Sequence, residues 1–206
     1  MTEGRGERIG LFGGSFDPIH RGHIAPIQEA RRRLGIDRVL YLPTAVPPRK
    51  PNRRLAPPHA RYAMVELALL AEPGLYASTY ELTPERPAYT VETLEHFRKN
   101  FPEAELVLLL GADSFLDLPT WKRFAELPRL ARLAVLARPG WEILDGSLQP
   151  ELAAMLAGGR VDLLHQAPVG VSSTELRATF GRGERPAPGM VAEAVVDYIE
   201  KYDLYR

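Results

Sequence analysis

Short apolar runs recur along the chain at intervals that leave room for one helix between each pair, and this alternation predicts an α/β fold. Ile9, Leu11 and Phe12 form the first run, suited to a buried strand. Ala25 to Leu34 then reads as a helix with Arg31, Arg32 and Arg33 in its last turns, where cations complement the helix dipole. Arg38 to Pro43 (RVLYLP) is a second buried strand, so strand, helix and strand fit one βαβ unit and predict a parallel pair. The alternation continues with a helix from His59 to Leu70, a loosely patterned strand from Leu75 to Glu81 and a helix from Val91 to Asn100. Glu105 to Gly111 (ELVLLLG) is the clearest buried strand, and Leu133 to Ala137 and Val161 to Leu164 are two more, with a helix from Pro150 to Leu156 between them. A helix after Ser172 and a closing helix from Val191 to Lys201 complete a doubly wound, mostly parallel sheet with helices on both faces. The aromatic tail ending near Tyr205 carries no signal of its own.

Unusual residue types concentrate between the first strand and the first helix, in Gly13-Gly14-Ser15-Phe16-Asp17-Pro18-Ile19-His20-Arg21-Gly22-His23. The glycine pair lets the backbone turn tightly and approach a ligand without Cβ hindrance, which suits phosphate. Free N–H groups at the helix start are expected to point at the glycines and make an anion site. His20 and His23 share one face if the helix has begun by then, and they can grip one ligand together; the alternative is a turn residue and a satisfied core histidine. A zinc site needs a third ligand, for which Asp17 is the only nearby candidate, and the pattern argues against zinc.

Further along, Thr44 to Pro58 is a proline-rich loop carrying Arg49, Lys50, Arg53 and Arg54 after a strand end, where parallel sheets place ligand sites; a solvated charged loop is the alternative. Thr90 reads as the N-cap of the following helix. Asp113 lies just past Gly111 at a strand end, where an acid can accept from ribose hydroxyls or simply cap the next short helix. Trp121 and Trp141 both read first as packing. Ser172 and Glu175 have capping-box spacing, with Ser173 and Thr174 between them and Arg177 a further turn on.

Composition narrows the function. The 206 residues suit one domain, with a small helical closure over about 170–206. Lys plus Arg and Asp plus Glu both number 26, so any anion site is built locally and nucleic acid is not the expected partner. No cysteine is present, which removes disulfides, thiolate metal sites and cysteine nucleophiles. The polar start and the lack of a long apolar run predict a cytoplasmic protein without a membrane span. There is no GxxxxGK[ST] element, and no GxGxxG follows the first strand. An oligomeric state is not specified, and a homo-oligomer is compatible with the chain.

The segment GGSFDPIHRGH resembles the nicotinate mononucleotide adenylyltransferases of the nucleotidyltransferase superfamily, whose signature is histidine, any residue, glycine, histidine. GADSFLDLPTW and SSTELR resemble that family's other segments, with Val171 and Leu176 standing where isoleucines are common. The resemblance implies a Rossmann-like nucleotidyltransferase fold and transfer of the adenylyl group of ATP to nicotinate mononucleotide, releasing pyrophosphate. It assigns His20, His23 and Arg177 to catalysis. It assigns Gly13, Gly14, Ser15, Phe16, Gly111, Asp113, Ser172, Ser173 and Thr174, with those three, to ATP. It assigns Lys50, Arg49 in place of the usual histidine, Thr90 and Trp121 to the mononucleotide, with the indole stacked on the pyridine. Mg²⁺ is expected on the ATP phosphates, with no metal held by the protein itself. The rival readings are an adenylyltransferase for nicotinamide mononucleotide or phosphopantetheine and an ATP-binding regulator without turnover.

Overall fold

The computed structural model describes residues 6–46, 55–83, 88–137, 148–167 and 169–206. Among these lie six strands: β1 (Arg8–Gly14), β2 (Arg38–Pro43), β3 (Leu75–Ala77), β4 (Glu105–Gly111), β5 (Arg132–Ala137) and β6 (Val161–His165). The α-helices are α1 (Arg21–Leu34), α2 (Pro58–Leu69), α3 (Thr90–Asn100), α4 (Ala112–Leu116), α5 (Leu127–Leu130), α6 (Pro150–Ala157), α7 (Ser173–Gly181) and α8 (Glu193–Lys201). The strands form one sheet in the order β3-β2-β1-β4-β5-β6, the arrangement of a doubly wound sheet whose order reverses between β1 and β4.

Two compact units divide the chain, the first made of residues 1–13, 29–39 and 89–168 and the second of 14–28, 40–88 and 169–206. In the first, β1 pairs with β4, β4 with β5 and β5 with β6, all in parallel. Ile9 lies opposite Leu106 and Leu11 opposite Leu108, and five consecutive residues of β4 are buried, as a strand covered on both faces requires. Gly10 is needed in β1 because a Cβ there would meet Leu109 Cδ1 at 2.8 Å and Val39 Cγ2 at 2.9 Å. Arg8 pairs with Glu105 and Arg132 with Asp162 along the strands, so the charges at these strand starts are matched locally.

The second unit is built around α2, whose Met64, Val65, Ala68 and Leu69 are buried, and α8, whose Val195, Val196 and Ile199 are buried. Its β3 is shorter than the alternation suggests, three residues instead of the span to Glu81. Beyond the strand Glu81 turns inward, accepting from Thr44 Oγ1 at 2.8 Å while its carbonyl accepts from Ala45 N–H at 2.8 Å. Among the described residues no helix is long and apolar enough to cross a membrane.

Candidate active site

Gly14, the aromatic after it and the two histidines interlock. Phe16 adopts φ 47°, a left-handed conformation uncommon for an aromatic, and is almost wholly buried. Its ring lies under Gly14, where an added Cβ would meet Cζ at 2.8 Å, and it also packs against Tyr41 and His23 at centroid distances of 5.5 and 5.3 Å. Gly14 is therefore a glycine because the Phe16 ring occupies the space of its side chain. Its carbonyl accepts from Thr44 N–H at 3.0 Å, tying the loop to the end of β2.

Helix α1 begins at Arg21, four residues before the expected Ala25, because His20 caps it. The His20 carbonyl accepts from His23 N–H at 2.8 Å, and its Nδ1 accepts from Gly22 N–H at 3.1 Å. In return His23 Nδ1 accepts from His20 N–H at 3.3 Å. This reciprocal pattern is that of a capping box, with imidazole nitrogens where Ser or Thr and Glu usually stand. Gly22 completes it, since a Cβ at that position would lie 2.9 Å from His20 Cε1. The two rings sit 3.8 Å apart between centroids, tilted by 34°. With Nδ1 of each ring accepting a backbone bond, the proton of each neutral imidazole belongs on Nε2, the donor an anionic oxygen needs.

The same geometry corrects the expectation of free amides at the start of α1. Arg21 N–H donates to Met190 O at 2.8 Å, and the next two amides go to Nδ1 and the carbonyl of His20. The first three amides of this helix start are engaged within the protein.

Helix α7 brings the last motif to the same loop. Ser172 caps it as expected, its Oγ accepting from Glu175 N–H at 3.2 Å and donating to Glu175 Oε2 at 2.8 Å. Ser173 Oγ donates to Pro18 O at 3.1 Å, and Arg177, one turn on, donates from Nη1 to Asp17 O at 2.7 Å and from Nη2 to Thr174 Oγ1 at 3.2 Å. Leu176 is buried, and Val171 Cγ1 lies 3.4 Å from where a Gly22 Cβ would be, so both stand-ins for isoleucine keep apolar contacts. Gly14, Ser15, Phe16, His20, His23, Ser172, Ser173, Thr174 and Arg177 all belong to the second unit.

Gly13, Thr90, Gly111, Asp113 and Trp121 belong to the first unit. Thr90 is not an N-cap: Tyr89 O accepts the first helical bonds from Glu92 and Thr93 N–H, at 2.9 and 3.1 Å, so Thr90 is already the first helical residue. Asp113 does not occupy the cap of α4 either, which is Gly111. Instead its exposed carboxylate folds back over that glycine, where a Cβ would lie 2.6 Å from Oδ1. The Trp121 Nε1 is buried and has no hydrogen-bond partner among the described residues. Lys122, which no motif or spacing marks, links this segment to the start of α3: its Nζ bonds Glu92 Oε1 at 2.7 Å and lies 4.4 Å above the Tyr89 ring. Arg49, Lys50 and Trp141 lie outside the described residues.

Two further residues escaped the sequence. Arg61 of α2 is 1% exposed, and its guanidinium donates to Ala56 O, Ser15 O, Thr44 O and Ala45 O at 2.9, 2.7, 2.8 and 3.3 Å. Burial lowers its pKa, and Asp17 offsets this. Tyr205 reaches Asp17 from the chain's tail, donating to Oδ1 at 2.9 Å. An arginine at the head of an apolar helix face, three and four residues before Met64 and Val65, was a signal available for Arg61. Tyr205 offered none.

A doubly wound sheet with a paired-histidine cap after β1 and a capped arginine helix places the molecule among nucleotidyltransferases of the cytidylyltransferase-like type, and that family's model matches residues 11–179. A probable nicotinate-nucleotide adenylyltransferase of Thermus thermophilus is 43% identical over 97% of this chain and 100% of its own. One from Corynebacterium glutamicum is 36% identical over 100% of this chain and 91% of its own. The chain belongs to the nicotinate-nucleotide adenylyltransferase family, a family of enzymes. The fold is shared with Plasmodium falciparum nicotinic acid mononucleotide adenylyltransferase in complex with NaAD, at TM-score 0.78, 18% identity and 97% coverage of both chains.

Proposed function

We propose that the chain transfers the adenylyl group of ATP to nicotinate mononucleotide, giving nicotinate adenine dinucleotide and pyrophosphate, a step of NAD biosynthesis. The observation that carries this reading is the imidazole capping box, with Arg177 anchored on the turn that leads into it. His20 and His23 present two Nε2–H donors to the polyphosphate, and Arg177 adds a permanent positive charge. Ser172, Ser173 and Thr174 hold the helix that carries it, while Gly13, Gly14, Ser15 and Phe16 shape the loop. Gly111 and Asp113 are assigned to the adenosine side of ATP, with the exposed carboxylate accepting from ribose hydroxyls. Trp121 and Thr90, whose segments Lys122 joins, are assigned to the pyridine ring and its carboxylate, and Lys50 and Arg49 to the mononucleotide phosphate. The indole N–H is buried and has no hydrogen-bond partner among the described residues, which leaves it a donor for a ligand in this reading.

The nucleophile is already an anion, so no general base is called for. The residues align two phosphate groups that repel each other and stabilise the charge growing on the leaving pyrophosphate. Among the described residues no cluster of histidines and carboxylates could hold a metal ion, and Asp17, the carboxylate in the loop, is engaged through Oδ1 by Tyr205 and Ala56 N–H. Mg²⁺ is assigned to the ATP phosphates, whose charge it neutralises.

The test is pyrophosphate release from ATP with nicotinate mononucleotide, nicotinamide mononucleotide and phosphopantetheine in turn. Turnover is expected with the first and much weaker turnover with the second, whose neutral amide forfeits a charge-assisted bond. Preference for nicotinamide mononucleotide would overturn the acid assignment, and no release with any acceptor would leave an ATP-binding regulator.

A further inference from the structure

Asp17 is a buried carboxylate in the phosphate loop, 1% exposed, with contacts from distant parts of the second unit. Its Oδ1 accepts from Tyr205 Oη at 2.9 Å and from Ala56 N–H at 3.1 Å. Its Oδ2 is buried, makes no hydrogen bond among the described residues and lies 3.7 Å from Arg177 Nη1. The guanidinium goes to the Asp17 carbonyl instead, at 2.7 Å. A buried carboxylate this close to a guanidinium would ordinarily form a short paired bond, the strongest contact either group can make. Both hydrogen-bond donors to the carboxylate sit on its other oxygen.

The tail is shaped to deliver the Tyr205 donor. Asp203 and Tyr205 take φ 51° and 72°, left-handed values that non-glycine residues keep only where the surroundings impose them. The Tyr205 ring stacks on Phe180 of α7 at 6.2 Å, its hydroxyl lies 3.9 Å from Met64 Sδ, and its carbonyl passes 3.2 Å from where a Gly181 Cβ would be. The side chain is thus fixed from two helices, and its hydroxyl ends on the carboxylate.

We propose that Tyr205 is a positioning residue for adenylyl transfer: by holding Asp17 through Oδ1 it keeps Arg177 on the loop carbonyl, where the guanidinium is available to the ATP phosphates. The proposal rests on the reading of Arg177 as a polyphosphate ligand. Without the hydroxyl, the Asp17 carboxylate swings to Arg177 and takes the cation from the nucleotide.

The experiment compares Tyr205→Phe, which keeps the ring stack on Phe180, with wild type, Arg177→Ala and the double variant, by pyrophosphate release and by calorimetric ATP binding. Tyr205→Phe is expected to raise the KM and Kd for ATP and to lower kcat/KM for ATP about tenfold, the scale of a displaced charge-assisted contact. KM for the mononucleotide should stay within about twofold and Tm within about 3 °C, because the ring packing remains. In the Arg177→Ala background the same change should alter kcat/KM less than about twofold, since the residue it acts through is gone. Wild-type ATP kinetics for Tyr205→Phe, an equal loss in both backgrounds, or a fall in Tm with both substrates affected alike would each overturn the proposal. Wild-type rates for Arg177→Ala would instead remove the reading of Arg177 itself, and the proposal with it.

Discussion

At Gly22 the requirement for glycine comes from the side chain two residues before it. A Cβ there would approach the His20 ring to 2.9 Å at Cε1 and 3.0 Å at Nδ1, so the ring would have to leave the position in which it caps α1. Gly22→Ala therefore sets two effects against each other. Alanine favours a helix by up to ~1 kcal/mol over glycine, while losing the His20 cap costs about 0.5 to 2 kcal/mol, so thermal stability should change little or fall slightly. Displacing His20 from its place over the loop should lower kcat by about tenfold or more. Measuring Tm and pyrophosphate release on the same variant checks this, and a variant that keeps full activity would contradict the placement of His20. The pairing of histidines with an intervening glycine was plain in the residue order. What the glycine is for became visible only when the ring was placed against its backbone.

At the level of elements, α2 and α7 each do more than pack. Helix α7 was legible, because a serine three residues before a glutamate signals its start wherever the chain goes, and the observed bond from Glu175 N–H to Ser172 Oγ follows. Helix α2 was legible as a helix only. Its Arg61 gathers four carbonyls from the phosphate loop, the end of β2 and the approach to α2, and so makes the helix a brace for the loop. Arg61→Ala leaves buried carbonyls without donors at about 1 to 3 kcal/mol each, and a loss of about 3 kcal/mol or more of stability is expected in urea unfolding. A change of less than 1 kcal/mol would show, on the same scale, that water replaces the guanidinium. Thr90 illustrates the opposite limit: its sequence suits a cap, but the helix bonds begin at the Tyr89 carbonyl, one residue earlier.

Across the whole molecule the charges sum to zero, so the electrostatics that matter are local and partly buried. Burial first, and then the Asp17 carboxylate beside it, raises the Tyr205 pKa well above its ordinary value. A group raised in the folded state contributes stability that is complete below its unfolded pKa, about 10 for tyrosine, and is lost as pH rises beyond it. Tyr41, raised by burial and then by Glu72, adds to the same loss. Wild type should therefore lose more Tm than Tyr205→Phe between about pH 9 and pH 11, the window in which unfolded tyrosine ionises; parallel pH profiles would show that the hydroxyl contributes no such linkage. The sequence by itself determined the order of strands and helices, the paired histidines, the cap of α7 and the lack of any cysteine chemistry, because each of these is written in neighbouring residues. Tertiary structure alone decided that Asp17 belongs to Tyr205, 188 positions away, and lies beside Arg177, 160 positions away. It also decided that amides at the start of α1 are already taken, and that an arginine in an apolar face holds up the loop. Hydrogen bonds between distant residues leave no period or spacing in a chain, and they exist only once packing has excluded the water that would otherwise satisfy the same groups.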